Sequence, residues 1–316
     1  MRVIFLLIFL CFNASSNEAL TQKSAHQWLD NLSTSLRTLN FTTSFVVVKN
    51  NQAEPYHWYH GLNDKGVEFE IFSRLNGPRK DILRYADTIS YISPDFPPYS
   101  ITSQQAITPI PAILRETHQA VINNYDVVSV GKSRVLGRAA QLIRIEPKDK
   151  YRFGYWVWLD QDSSLLLKLA IVSNQGVIME QVQFTHLDIT ETLNESLAEL
   201  ESTQLPELIE LPQSFYDNAL PWDVSWLPEG FIKVRANKHH ISLTKAPVEF
   251  MLFNDGFVGI SVYVNSSTEK QRKAEHVNDG ATLVFNLVNQ GVEVSVVGKI
   301  PLETAMAIAQ SVVFNK

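Results

Sequence analysis

One cysteine occurs in 316 residues, and it is Cys11. It lies in an apolar run, Val3 to Phe12, that follows Met1–Arg2 and precedes the small polar stretch Asn13–Ala14–Ser15–Ser16. This order of features reads as a secretory signal peptide over residues 1–16, cleaved after Ser16. The Leu10 that precedes Cys11 is not the small residue a lipidated cysteine follows. A mature chain without thiols has no disulfide framework, no thiolate metal site and no cysteine nucleophile, so it rests on an ordinary hydrophobic core. Past the leader no apolar run approaches the roughly 20 residues that span a bilayer. The expectation is an exported protein of the bacterial envelope, soluble after cleavage.

A basic surplus is also missing, and with it the electrostatic footprint of a nucleic-acid binder. Residues 17–188 carry 17 basic and 17 acidic side chains, and residues 222–316 carry nine of each. Between them, residues 189–221 hold seven acids and no Lys or Arg. The charge therefore divides the mature chain into two neutral domains, 17–188 and 222–316, joined by an acidic linker, 189–221.

Catalytic signatures are absent too. The chain has no Gly-x-Ser-x-Gly elbow, P-loop, dinucleotide fingerprint or His-Glu-x-x-His. His57 and His60 are three apart in an expected strand, so they face opposite ways and cannot share a metal. Asp160 and Asp162 suit a hairpin turn, where aspartate caps local donors, better than an acid–base pair. No catalytic residue, metal or cofactor is assigned.

What is present is mostly β patterning. Ala25, Trp28, Leu29, Leu32, Leu36 and Leu39 recur at three- and four-residue intervals and predict one helix. Short runs rich in Val, Ile, Thr and aromatics then predict strands at 41–49, 54–60, 67–72, 80–85 and 89–92. Five prolines within 93–112 predict a loop or lid rather than a central strand. Longer strands follow at 125–130, 139–146, 153–160, 165–173 and 177–188, giving one large curved antiparallel sheet. The linker is expected to be helical near 191–201. The second domain predicts strands at 231–235, 248–253, 257–265, 281–287 and 292–297, and a helix at 302–313 opened by Pro301.

Two features point to binding. Aromatics crowd the expected strands of the first sheet, among them Phe45, Trp58, Tyr91, Trp156 and Trp158. Basic residues cluster at Arg74, Arg79, Lys80 and Arg84, and again at Lys132, Arg134, Arg138 and Arg144. Arginine pairs well with phosphate, although cations also guard solvated strand edges.

Several segments together resemble the RseB/MucB family. They are Asn76–Gly77–Pro78–Arg79, Ile89–Ser90–Tyr91, Tyr125–Asp126 leading to Ser129–Val130–Gly131, and Tyr155–Trp156–Val157–Trp158–Leu159–Asp160. Further on come Trp226–Leu227–Pro228–Glu229–Gly230–Phe231, Asn254–Asp255–Gly256–Phe257 and the ending from Val297–Gly298 to Phe314. The order runs over nearly all of the mature chain. The resemblance implies an α+β, mostly antiparallel fold: a large half-open β-barrel of the lipoprotein-carrier (LolA-like) type with a helix in its concavity, and a smaller C-terminal α+β domain.

It further implies a periplasmic negative regulator of the sigma-E envelope stress response. Such a protein binds the periplasmic domain of a membrane-spanning anti-sigma factor, shields it from site-1 proteolysis, is released by lipopolysaccharide or a related lipid, and forms homo-oligomers. On this view Arg79, Lys80 and Arg84, with Phe45, Trp58, Tyr91, Trp156 and Trp158, receive the lipid. Trp226, Phe231, Phe253 and Phe257 of the C-terminal domain receive the anti-sigma factor. The rival reading is a periplasmic lipid or lipoprotein carrier, which has no need of residues 222–316.

Overall fold

The computed structural model describes residues 23–103, 108–115, 123–209, 220–240 and 247–314. The expected leader, its cleavage site and the end of the acidic linker, 210–219, lie outside them.

Helix α1, Ala25–Thr38, opens with a capping box in which Ser24 and Gln27 satisfy each other's backbone donors. Its apolar stripe, Trp28, Leu29, Leu32 and Leu36, is buried. Eleven strands follow: β1 (Asn40–Lys49), β2 (Gln52–Leu62), β3 (Glu68–Arg74), β4 (Lys80–Tyr85), β5 (Thr88–Ser93), β6 (Phe96–Thr102), β7 (Tyr125–Val135), β8 (Arg138–Pro147), β9 (Gly154–Asp160), β10 (Leu166–Val172) and β11 (Ile178–Thr190). They form one antiparallel sheet in the order β6-β5-β4-β3-β2-β1-β11-β10-β9-β8-β7. Two meanders meet where β1 pairs with β11, and the end strands β6 and β7 do not pair with each other. The result is the expected half-open barrel. Its inner face packs around α1 through Phe41, Phe45, Trp58, Ile143, Val157 and Phe184.

The proline-rich stretch departs from the expectation of a plain loop. Phe96–Thr102 is a strand, and it lies at the sheet edge. Pro97 and Pro98 fall where the β5–β6 register shifts, which is where a strand tolerates residues without a ladder donor. A 3-10 turn, Ala112–Arg115, then crosses to α1.

The acidic segment lies along the first sheet. Helix α2, Glu195–Ser202, is N-capped by Asn194 and sets Leu197 and Leu200 on the outer face against Phe69, Tyr59, Ile71 and Leu83. The chain then runs parallel to β6. Ser100 N–H donates to Glu207 O and Ile209 N–H to Ser100 O, both at 2.8 Å.

The second unit holds a six-stranded sheet, order β13-β14-β15-β18-β17-β16. Its strands are β13 (Ile232–His240), β14 (Pro247–Asn254), β15 (Gly259–Ser266), β16 (Gln271–Asp279), β17 (Thr282–Asn289) and β18 (Val292–Gly298). Helix α3, Leu302–Gln310, packs on β17 and β18, with Pro301 as its N-cap rather than its first residue. Two short strands, β12 (Trp222–Val224) and β19 (Val312–Phe314), pair beside it. No strand was expected for β16, because its residues are polar and exposed on both faces and carry no period-2 signal.

Candidate functional site

Three places in the molecule concentrate chemistry: a cavity on the inner face, an ion network beside it, and the junction between the two units.

The cavity encloses about 370 Å³ near the β4–β6 end of the first sheet. Cross-strand register builds it: Tyr56 faces Arg74, Arg74 faces Lys80, and Trp58, Phe72, Ile82, Tyr91 and Tyr99 succeed one another across five strands. Tyr91 stacks on Tyr99 at 5.4 Å, and Phe96 tilts against Tyr99 at the same distance. Pro109 closes one side, and Arg74 and Lys80 bring positive charge to the lining. Lys80 pairs with Asp95 at 2.8 Å. The Tyr56 phenol, pushed up to about 12 by burial and by its bond to Glu54, stays protonated. An apolar wall with a few convergent polar groups is the general form of a small-ligand site.

Of the residues expected to receive lipid, Tyr91 and Lys80 line this cavity. Phe45 and Trp58 lie behind it as fully packed core, 5.5 and 6.3 Å from Phe72. Arg79 is exposed and pairs with Asp81. Trp156 and Trp158 lie on the opposite, outer face, because alternation along β9 sends Tyr155, Val157 and Leu159 inward. Arg74, Tyr56, Phe72, Phe96 and Tyr99 also line the cavity, as do Asp81, Ile92 and Ser93. The five-residue loop 75–79, with Asn76–Gly77–Pro78 at its centre, marks in the sequence the reversal that lets Arg74 face Lys80.

Arg84 is buried in the ion network. Its Nε donates to Glu70 at 3.1 Å, and Arg115 from the 3-10 turn forks onto the same carboxylate while stacking 5.0 Å over Trp58. His60 spans Leu39 O at 2.8 Å and Glu68 at 3.2 Å. Burial alone would raise the Glu70 carboxyl. The Arg115 guanidinium, with His60 and Arg84 behind it, instead holds it at about 2. His60, Glu68 and Glu70 are close enough to suggest a metal cage, but the two arginines already occupy the carboxylates. The network ties the 3-10 turn to the inner face. His57 faces the other way, onto Ser44 at 2.8 Å.

The junction is built from Arg152, which is 1 % exposed. Its Nε donates to Asp255 at 2.6 Å, and its other nitrogens reach Asp149 and the Glu229 carbonyl. Asp255 also accepts from the Tyr125 hydroxyl at 3.0 Å and from the backbone N–H groups of Phe257 and Val258. Burial pushes the Tyr125 phenol far up, so it remains a donor. Phe257 packs on Tyr155 at 4.2 Å, Phe231 lies 4.8 Å under the Arg152 guanidinium, and Trp226 meets Tyr151 edge-on at 5.1 Å. Three of the four aromatics expected to meet a partner protein are thus at the contact between the units. Phe253 is buried in the second sheet. Two ion pairs join the units beside the junction: half-buried Lys49 with the exposed Asp279, and half-buried Lys299 with the buried Glu180 at 2.8 Å.

Comparison with known proteins accounts for both units. Residues 24–209 match the family model of the MucB/RseB N-terminal domain, and residues 217–313 that of the MucB/RseB C-terminal domain. The chain is 26 % identical over its full length to the sigma-E factor regulatory protein RseB of Salmonella typhimurium, covering 97 % of that protein. It is also 26 % identical to the sigma factor AlgU regulatory protein MucB of Pseudomonas aeruginosa, over 97 % of this chain and 96 % of MucB. The structure of the Pseudomonas aeruginosa MucA/MucB complex superposes with a TM-score of 0.75 at 25 % identity, over 92 % of this chain and 99 % of the other. A structure of MucB with MucA(peri) superposes at 0.72 over the same shares.

Proposed function

The chain belongs to the MucB/RseB family, and from that premise we propose that it is a periplasmic regulator of a sigma-E-type stress response. It binds the periplasmic segment of a membrane-spanning anti-sigma factor and shields that segment from site-1 proteolysis until a lipid releases it. The observation that carries the reading is the match of both family domains in order, with MucB bound to MucA superposing over 92 % of the chain.

The site geometry supports a role for each unit. The inner-face cavity is apolar, with Arg74 and Lys80 beside it, so it suits an acyl chain that carries a phosphorylated head. Each methylene buried there contributes about 0.8 kcal/mol, and Lys80 exchanges Asp95 for the phosphate. Arg79 is exposed on the strand approach and can add to that pairing, whereas Arg84 acts indirectly by fixing Glu70. The motif aromatics Phe231 and Phe257 hold the two units together, and their position lets a lipid in one unit alter the partner surface of the other.

The test is a pull-down of the mature protein on the periplasmic segment of the cognate anti-sigma factor, with site-1 protease added. The segment should be retained and protected, and lipopolysaccharide should abolish both. Retention without protection would remove the regulatory role. Capture of lipoproteins in place of the segment would favour a carrier.

A further inference from the structure

α2 covers the outer face over β2 to β4, and nothing among the described residues covers the outer face over β8 to β11. There Trp156 and Trp158 stand two residues apart on β9, with ring centroids 6.4 Å apart. Arg144 lies over Trp156 at 4.6 Å and Lys168 over Trp158 at 4.8 Å. Neither cation pairs with a carboxylate among the described residues, and the buried Nε of Arg144 has no acceptor. Burial holds the Lys168 ammonium below its ordinary range, the mark of a cation stripped of water without an acid in exchange. One strand further, the amides of Gln183 and Gln181 continue the rows through Lys168 and Ala170, bonded to each other at 3.1 Å.

We propose that this face is a second binding surface and that its ligand is an anionic saccharide chain. The indoles take the C–H faces of sugar rings. Arg144 and Lys168 leave the rings to pair with carboxylate or phosphate groups, and the two glutamines meet hydroxyls. Charge complementarity calls for an anion, because these rows contain two cations against one acid at their edge, Glu146, which accepts from the Trp156 indole N–H at 3.4 Å. The fold selects which one. β8 to β11 are paired on both sides, so a peptide laid here finds no ladder partner and leaves its own backbone unsatisfied. Acids also border one end of the patch, where Asp126 stands beside Glu146, whereas Asp160 at the other end is buried and forked by Arg138. A continuous anionic lipid surface would meet the acids at that end, while a narrow chain passes beside them.

Binding of fluorescein-labelled oligogalacturonate to the mature protein, followed by anisotropy, tests this. The oligomer should bind saturably and more weakly as salt rises. Arg144→Gln/Lys168→Gln and Trp156→Leu/Trp158→Leu, each confirmed folded by thermal melting, should weaken it by about tenfold or more. Lys132→Gln/Arg134→Gln, exposed cations elsewhere, and the cavity variant Tyr91→Ala should leave it unchanged. The cavity variant separates this surface from the lipid site. The proposal is overturned if oligogalacturonate does not bind or if the Arg144/Lys168 variant binds as tightly as wild type. Equal binding of neutral dextran, or polyglutamate binding with the same dependence on these residues, overturns it as well.

Discussion

At the residue scale, two buried charge clusters carry the most weight. Asp255 is buried and accepts four hydrogen bonds, from Arg152, Tyr125 and two backbone amides. Arg152→Ala leaves that carboxylate buried without a counter-charge, and breaking a buried pair from one side costs about 3–5 kcal/mol. Urea unfolding should show a loss of this size, together with faster proteolysis at the junction; an unchanged midpoint would mean that Arg152 contributes nothing there. Glu70 predicts a pH dependence. Its carboxyl is held at about 2 in the fold against an ordinary 4.5. The folded state therefore binds fewer protons than the unfolded chain, and stability falls as pH falls. The contribution is complete above about 4.5 and is lost between there and about 2. Unfolding midpoints of wild type and Glu70→Gln should differ near neutrality and converge in acid; parallel curves would refute the assignment.

At the scale of elements, α2 shows how a short acidic helix is kept in place. A helix of eight residues is unstable by itself, so its order comes from the Asn194 cap and from docking of Leu197 and Leu200. Gly61 makes the docking possible: a Cβ there would lie 2.6 Å from Leu193 Cδ1 and 3.3 Å from Leu197 Cδ1. Gly61→Val should overpack the contact at a cost of about 1–3 kcal/mol. Hydrogen exchange would report it as lost protection confined to residues 195–202, and retained protection would mean that the helix docks without Gly61. The sequence suggested a helix near 191–201 but not its landing place, because an interface made by two leucines, Leu197 and Leu200, has too little period to read. α1 and most strands were legible, since their buried faces repeat at 3.6 or 2 residues. β6 was hidden by its prolines and β16 by its polarity, the two conditions in which an edge strand carries no apolar alternation.

At the scale of the whole molecule, the family motifs converge on one place. Tyr125, Tyr155, Phe231 and Asp255–Gly256–Phe257 are far apart in sequence and meet at the junction. Their residue types were visible beforehand, but their role was not, because a buried aromatic reads the same whether it faces a core, a second unit or a partner. The inner-face cavity was legible only in part: aromatic and basic clustering pointed to Tyr91 and Lys80, which line it, while Trp156 and Trp158, named with them, lie on the far side of the same sheet. If lipid in the first unit acts on a partner held by the second, the coupling must pass through this contact as a change in the relation of the two units. The ion pairs beside it offer a way to prevent that change. Lys49 bonds Asp279, whose carboxylate is exposed, so a zero-length carbodiimide can join that pair as an amide without moving the backbone, while Lys299 and the buried Glu180 stay an ion pair at 2.8 Å. The joined protein should still bind the anti-sigma segment and still take up lipid, but lipid should no longer release the segment. Lys49→Arg keeps the ion pair and cannot form this amide, so the same treatment should leave its release intact. Release from the joined wild type at the untreated rate would place the coupling within the C-terminal unit and away from the junction.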